Sequence, residues 1–183
     1  MKQLTKVAMV LAVIGLFLFS CQKYTETNQL AADETQKSAN QGTAWLQANA
    51  TTTQTANTTP TKVNIDFVDG SAQIDLSGGD ATVNRSGDYL IIAAPQVGFT
   101  GKGIANFRCW LAINDVFVPN SNVLTTLTQI GKDVIITQGI VSLEKGDKVS
   151  VYMASNKGAY IERINPPEGV AVPALIFTMY EIN

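Results

Sequence analysis

From Ile104 to Ile113 the side chains alternate. Ala105, Phe107, Cys109, Leu111 and Ile113 form one uniformly apolar set, and Ile104, Asn106, Arg108, Trp110 and Ala112 form the other. A period of two is that of a β-strand with one face in a core. It turns Cys109 inward, as a small buried hydrophobe rather than a reactive thiol. Other segments are apolar on both faces. In the last predicted strand Leu175, Phe177 and Met179 share one face and Ile176, Thr178, Tyr180 and Ile182 the other, and in Tyr89–Ala94 both sets are apolar. An antiparallel sheet in a lone subunit has one face in water. Strands dry on both faces therefore predict something that covers the outside, and a second subunit is the usual cover.

Short β-branched and aromatic runs separated by Gly, Asn and Asp clusters fill the chain from Lys62 onward, without a 3.6-residue stripe. The predicted strands are Val63–Val68, Ala72–Leu76, Ala81–Val83, Tyr89–Ala94, Ile104–Ile113, Val123–Leu127, Asp133–Leu143, Lys148–Ala154 and Pro173–Ile182. So many strands within residues 62–183 predict an all-β, antiparallel two-sheet sandwich or jelly roll.

The N-terminus has a different pattern. Lys2 and Lys6 precede an apolar run from Val7 to Phe19. As a helix this run would reach only roughly 20 Å, against a hydrocarbon core of ~30 Å, so it fits the h-region of a signal peptide. Leu18-Phe19-Ser20-Cys21 resembles the lipobox of bacterial lipoproteins. The resemblance implies that residues 1–20 are removed, that the Cys21 thiol is diacylglycerylated and that the new N-terminus is acylated. Gln22, not Asp, follows the cysteine. In a two-membrane bacterium that implies sorting to the outer membrane, and otherwise retention on the extracellular face of the cell membrane.

Residues 21–61 read as a lipidated cysteine and a Thr/Gln/Asn-rich tether, with too little apolar area to offset the entropy of ordering. As a coil of roughly 40 residues it would average about 35 Å end to end. Asn28 to Gln47 could instead form a stalk helix. Trp45-Leu46 stands out against this polar background, either as part of the tether or as the first strand of the domain.

Charge and composition remove whole classes of function. Lys+Arg 13 against Asp+Glu 15 gives a net charge of -2, so no basic face is available to neutralise phosphates and nucleic acid is not an expected partner. The chain has no histidine. The commonest general base, the commonest metal ligand and every Ser-His or Cys-His pair are therefore missing. No enzyme activity and no cofactor is expected. Asp66, Asp69, Asp75, Asp80 and Asp88 lie in one stretch without the fixed spacing of a calcium loop. Gly98 to Gly103 lacks the spacing of a phosphate loop. Trp110 on the polar face, with Tyr152 and Tyr160, could form a sugar-stacking platform, or else contribute to a subunit contact or the core.

Ala81-Thr82-Val83, followed by Asn84-Arg85-Ser86-Gly87-Asp88-Tyr89-Leu90-Ile91, resembles the strand, turn and Gly-x-Tyr strand of the complement C-one-q and tumour necrosis factor (TNF) superfamily. Leu111-Ala112-Ile113-Asn114-Asp115 is similar to its Leu-x-x-Asn-Gly hairpin, with Asp115 in place of Gly. Val141 to Val149 resembles its Leu-x-x-Gly-Asp-x-Val turn, and Ala174 to Tyr180 falls where its closing central strand lies. Gly87 and Gly146 sit where such turns need φ > 0, and Asp147 can bond its own turn backbone, which makes it a turn residue rather than a metal ligand. The resemblance implies a jelly roll that associates as a homotrimer about a threefold axis. By position Tyr89, Phe177, Met179 and Tyr180 are expected near that axis, or individually in the core.

Three functions fit this sequence. One is a lipid-anchored, non-catalytic binding or adhesion module whose trimer meets an envelope protein or a glycan. Another is a structural or envelope-masking lipoprotein, including a phage-encoded one. The third is a carbohydrate-binding or carbohydrate-cleaving jelly roll.

Overall fold

In the computed structural model, which describes residues 42–182, the described chain is strand, turn and loop with no helix. The expected signal peptide, the expected lipobox with Cys21 and the expected tether up to residue 41 lie outside the described residues. Six short strands come first: β1 (Trp45–Ala50), β2 (Gln54–Thr55), β3 (Thr61–Lys62), β4 (Phe67–Ala72), β5 (Ile74–Ser77) and β6 (Asp80–Val83). The long β7 (Gly87–Phe99) and β8 (Ile104–Ile113) follow, then β9 (Val116–Phe117), β10 (Val123–Thr128), β11 (Gly131–Val134) and β12 (Thr137–Leu143). β13 (Lys148–Ser155), β14 (Tyr160–Ile161) and β15 (Leu175–Ile182) complete the chain.

These strands form two antiparallel sheets. The eight-stranded sheet runs β2-β14-β7-β15-β1-β4, with β11 and β12 also on β7, and the seven-stranded sheet runs β10-β8-β13-β6-β5, with β3 on β13 and β9 on β8. Their inner faces enclose one core, in which Tyr89, Phe107, Phe177, Leu46, Met153 and Leu175 are among the largest fully buried side chains. The two-sheet jelly roll expected from the alternation is the fold observed.

The first strand is the one separated from the rest by the Thr-rich loop. β1 lies between β15 and β4, pairing Trp45 with Tyr180 and Leu46 with Met179. The compact unit that holds these strands begins at Thr43. Residues 45–62 thus supply three strands where the polar composition reads as tether, because Leu46, Ala48 and Ala50 alternate inward and are fully buried. A stalk helix reaching Gln47 is excluded by the same strand.

β8 has the predicted bounds, and its inward set, Cys109 included, is buried from Ala105 to Leu111. Two strands depart from expectation. β7 continues through Pro95 to Phe99, because the missing Pro95 donor falls where the strand changes partners, from β12 on one side of it to β11 and β14 on the other. The single run expected over Asp133–Leu143 is divided at Ile135 and Ile136 into β11 and β12. The turns follow the sequence more closely. Asn114 and Asp115 both have positive φ (51° and 64°), the conformation that an Asn-Gly hairpin adopts. Gly146 has φ 98°. Gly87 is absent from the positive-φ glycines. It is needed for space instead, because a Cβ there would lie 2.9 Å from the Glu181 carboxylate.

Candidate functional site

The two outer faces of the sandwich have different chemistry. On the eight-stranded sheet, the register aligns Ile140 with Leu90, Leu90 with Tyr180 and Tyr180 with Trp45, one apolar side chain on each of four adjacent strands. Ile140 is 68% exposed, Tyr180 51% and Trp45 39%. The next row across is Gln138, Ile92, Thr178 and Gln47, in which the Thr178 hydroxyl donates to Gln47 Oε1 at 2.7 Å. Ile176 and Ile182 extend the apolar area along β15. The Trp45 indole packs against Gly70 of β4, where a Cβ would come within 2.6 Å of the ring. Cross-strand aromatic and branched pairs of this kind are ordinary in a core. Here they face outward, where a contiguous apolar patch marks a surface meant to be covered.

Of the four residues expected near a subunit axis, Tyr180 lies on this face. Tyr89, Phe177 and Met179 do not: each is 0% exposed between the two sheets. The reason is parity. Both faces of β7 and β15 are apolar, and the chain turns the odd-numbered set of each inward, so these three side chains pack within their own subunit. The Tyr89 hydroxyl donates to the Arg85 carbonyl at 2.8 Å.

The odd set of β15 ends in a charge that apolar-pattern reading passes over. Glu181 is 3% exposed. Its Oε1 lies 3.0 Å from Arg85 Nε, and its Oε2 accepts the Ala44 backbone N–H at 2.9 Å. Glu181 N–H in turn donates to the Ala44 carbonyl at 2.8 Å. This carboxylate ties the entry of β1 to the last strand and to the turn before β7. The signal available in the sequence was its inward parity, an acid in line with Leu175, Phe177 and Met179.

The outer face of the seven-stranded sheet is polar with an aromatic centre. Trp110, Tyr152 and Lys62 are neighbours on β8, β13 and β3. The Trp110 and Tyr152 rings lie 6.0 Å apart at 14°, and Lys62 Nζ stands 5.8 Å from the Tyr152 centroid. Lys62 pairs with Asp80 at 2.7 Å and Asp115 at 2.9 Å, the Tyr152 hydroxyl donates to Asp115 at 2.8 Å, and the Ser150 hydroxyl donates to Asp80 at 2.6 Å. The Lys62 ammonium holds the Asp115 carboxyl below its usual range. Burial, with help from Asp115, raises the Tyr152 phenol. Tyr160 is not part of this cluster. It sits on β14 of the other sheet, with its ring against Gly98.

The remaining candidates have local work. Asp147 accepts the Glu144 N–H at 2.9 Å and the Asn114 side-chain amide at 2.8 Å, and the first of these holds its carboxyl low. Asp66 accepts from Thr51, Asp69 from Asn49 and Asp75 from Asn84. No three acids or cysteines converge as metal ligands among the described residues. Burial pushes the Cys109 thiol up to about 12.

No family model matches the chain, and no curated protein matches it. Solved structures do. Murine APRIL at pH 5.0 superposes with a TM-score of 0.54 at 11% identity, over 77% of this chain and 100% of that one. The globular domain of zebrafish complement 1qA protein gives a TM-score of 0.53 at 14% identity, over 78% of this chain and 98% of that one. At such identities the likeness is one of fold, and with the two antiparallel sheets it shows a jelly-roll sandwich like those of the two structures.

Proposed function

We propose that this protein is a lipid-anchored, trimeric, non-catalytic binding module of the bacterial cell envelope. The observation that carries the trimer is the outward apolar row of exposed Ile140, Tyr180 and Trp45 with half-buried Leu90 among them, and Ile176 and Ile182 beside it. Covering this row on three equivalent subunits gives a closed assembly in which every copy is satisfied. The fold likeness favours three copies over two. The absence of histidine and the local hydrogen bonding of the aspartates favour binding over catalysis.

Anchoring rests on Leu18 to Cys21 and on the apolar run before it. Acyl chains contribute about 0.8 kcal/mol per buried methylene, and two or more make attachment durable. On this reading the protein belongs to the outer membrane of a two-membrane host, or otherwise to the outer face of the cell membrane. Cell fractionation with radiolabelled palmitate tests this. The parent protein should carry label in the membrane fraction, and Cys21→Ser should yield an unlabelled species that is unprocessed or soluble. A substituted protein that keeps its label would remove the lipid anchor from the account.

A further inference from the structure

Next to the aromatic cluster, on the outer face of the seven-stranded sheet, lies a cavity of about 200 Å3 lined by Thr58, Asn106, Arg108, Ala154, Ser155 and Asn156. Its polar lining is biased toward donors. Asn156 Oδ1 accepts the Asn106 backbone N–H at 2.8 Å, and Asn106 Oδ1 accepts the Thr126 hydroxyl at 3.2 Å. Each amide oxygen thus already accepts one bond, while neither NH2 group donates to another residue among the described residues. Ser155 is 3% exposed, and its hydroxyl oxygen accepts the N–H groups of Lys157 at 3.3 Å and Ala159 at 3.1 Å. What it has left is its own proton. Arg108 adds a guanidinium that has no carboxylate within ion-pair distance among the described residues. No acidic side chain lines the cavity. A concave site that offers donors and a positive charge selects an anionic acceptor, and the planar guanidinium fits a carboxylate or sulfate with two parallel bonds.

The neighbouring surface sets the rest of the ligand. Arg108 and Trp110 are two apart on β8, and Ala154 and Tyr152 are two apart on β13, so each pair shares the outer face about 7 Å apart. A ligand whose anion sits on Arg108 therefore meets the Trp110–Tyr152 pair one ring-length away. The cavity is smaller than the ~300 Å3 at which pockets for drug-sized ligands begin. It takes one charged group or one ring, not a buried chain.

We infer that this face binds an acidic saccharide, with the carboxylate or sulfate of one sugar held by Arg108, Asn106 and Asn156 and an adjoining sugar's C–H face against the Trp110 ring, whose other face meets Tyr152. The inference rests on reading the chain as a binding module, and it supplies the ligand class of that module. It uses only residues of one subunit, on the sheet opposite the apolar row.

Isothermal titration of the full chain in detergent tests it, with trigalacturonate, its methyl ester, sialyllactose and a sulfated heparin disaccharide as probes. At least one acidic probe should bind. The ester should bind roughly ten- to hundredfold more weakly than trigalacturonate if that is the acid bound, and Arg108→Gln should weaken the bound acid by a similar factor. Trp110→Ala should weaken the saccharide and leave any binding of plain acetate unchanged. Arg108 is exposed, so an unchanged melting temperature will show that its variant still folds. Equal binding by acid and ester, undiminished binding to Arg108→Gln, acetate matching the oligosaccharide, a preference for an acidic peptide, or no binding of any acidic probe at millimolar concentration would each overturn the assignment. The mass of the same sample separates the two proposals. Arg108-dependent binding by a monomer removes the trimer and keeps the site, and a trimer that binds no acid does the reverse.

Discussion

Tyr180→Asp and Phe177→Asp place the same charge on the same strand, three residues apart in chain position, and should fail in different ways. Tyr180 is 51% exposed in the single subunit. An aromatic side chain carries about 150–250 Å2, so assembly covers about 75–125 Å2 of it, or about 2–3 kcal/mol per subunit at ~25 cal/mol per Å2. Three symmetric copies give about 6–9 kcal/mol per trimer, and an unpaired carboxylate at the contact adds several more per subunit. A micromolar dissociation constant corresponds to about 8 kcal/mol. Tyr180→Asp should therefore leave a folded monomer at any practical concentration.

Phe177 is 0% exposed between the sheets. Its loss costs about 3–5 kcal/mol, and the buried charge adds several, against a typical total stability of about 5–15 kcal/mol. Phe177→Asp should not fold. Leu124→Asp, on an equally exposed site of the opposite sheet (53%), should keep both fold and assembly. Circular dichroism melting reads the fold, and sedimentation velocity reads the assembly. A Tyr180→Asp protein that assembles as the parent does would refute the role of the apolar row. A folded Phe177→Asp protein would refute the parity of β15.

Two further outcomes follow from the buried groups. Cys109 should resist bulky thiol reagents until the domain is unfolded in denaturant, and rapid labelling of the folded protein would contradict its burial. With the thiol moved from 9.0 to about 12, the unfolded chain loses this proton first as pH rises. The associated stability is full below about pH 9 and is lost between there and about 12, so Cys109→Ala should flatten the alkaline limb of a urea-unfolding series. Glu181→Ala removes the acceptor of Arg85 and of the Ala44 N–H and should cost about 3–5 kcal/mol, whereas Glu181→Gln keeps an acceptor for Ala44 and should cost less. Equal unfolding midpoints for parent and Glu181→Ala would show that the clamp contributes nothing.

How much of this was legible beforehand depended on contrast between the two faces of each strand. β8 alternates apolar against polar, so its inward set and the burial of Cys109 could be read directly. β7 and β15 are apolar on both faces, and alternation then identifies two sets without saying which is inside. Tyr89, Phe177 and Met179 could be placed only by the packing of the whole sandwich. β1 was obscured by the polar loop after it, since its pairing with β15 joins residues at opposite ends of the domain. Trp110 and Tyr152 were recognisable as outward aromatics. The cavity beside them was not, because it depends on the cross-strand neighbours that bring Asn106, Arg108 and Asn156 together without an acid.

The measurement that bears most directly on the central claim is the mass of the full-length protein in solution. Sedimentation equilibrium in density-matched detergent, at micromolar protein, should return three times the mass of one chain, the polypeptide of 183 residues being 19.6 kDa. A well-folded species with the mass of one chain would contradict the trimer and leave the outward row of Ile140, Leu90, Tyr180 and Trp45 to be covered by a different partner.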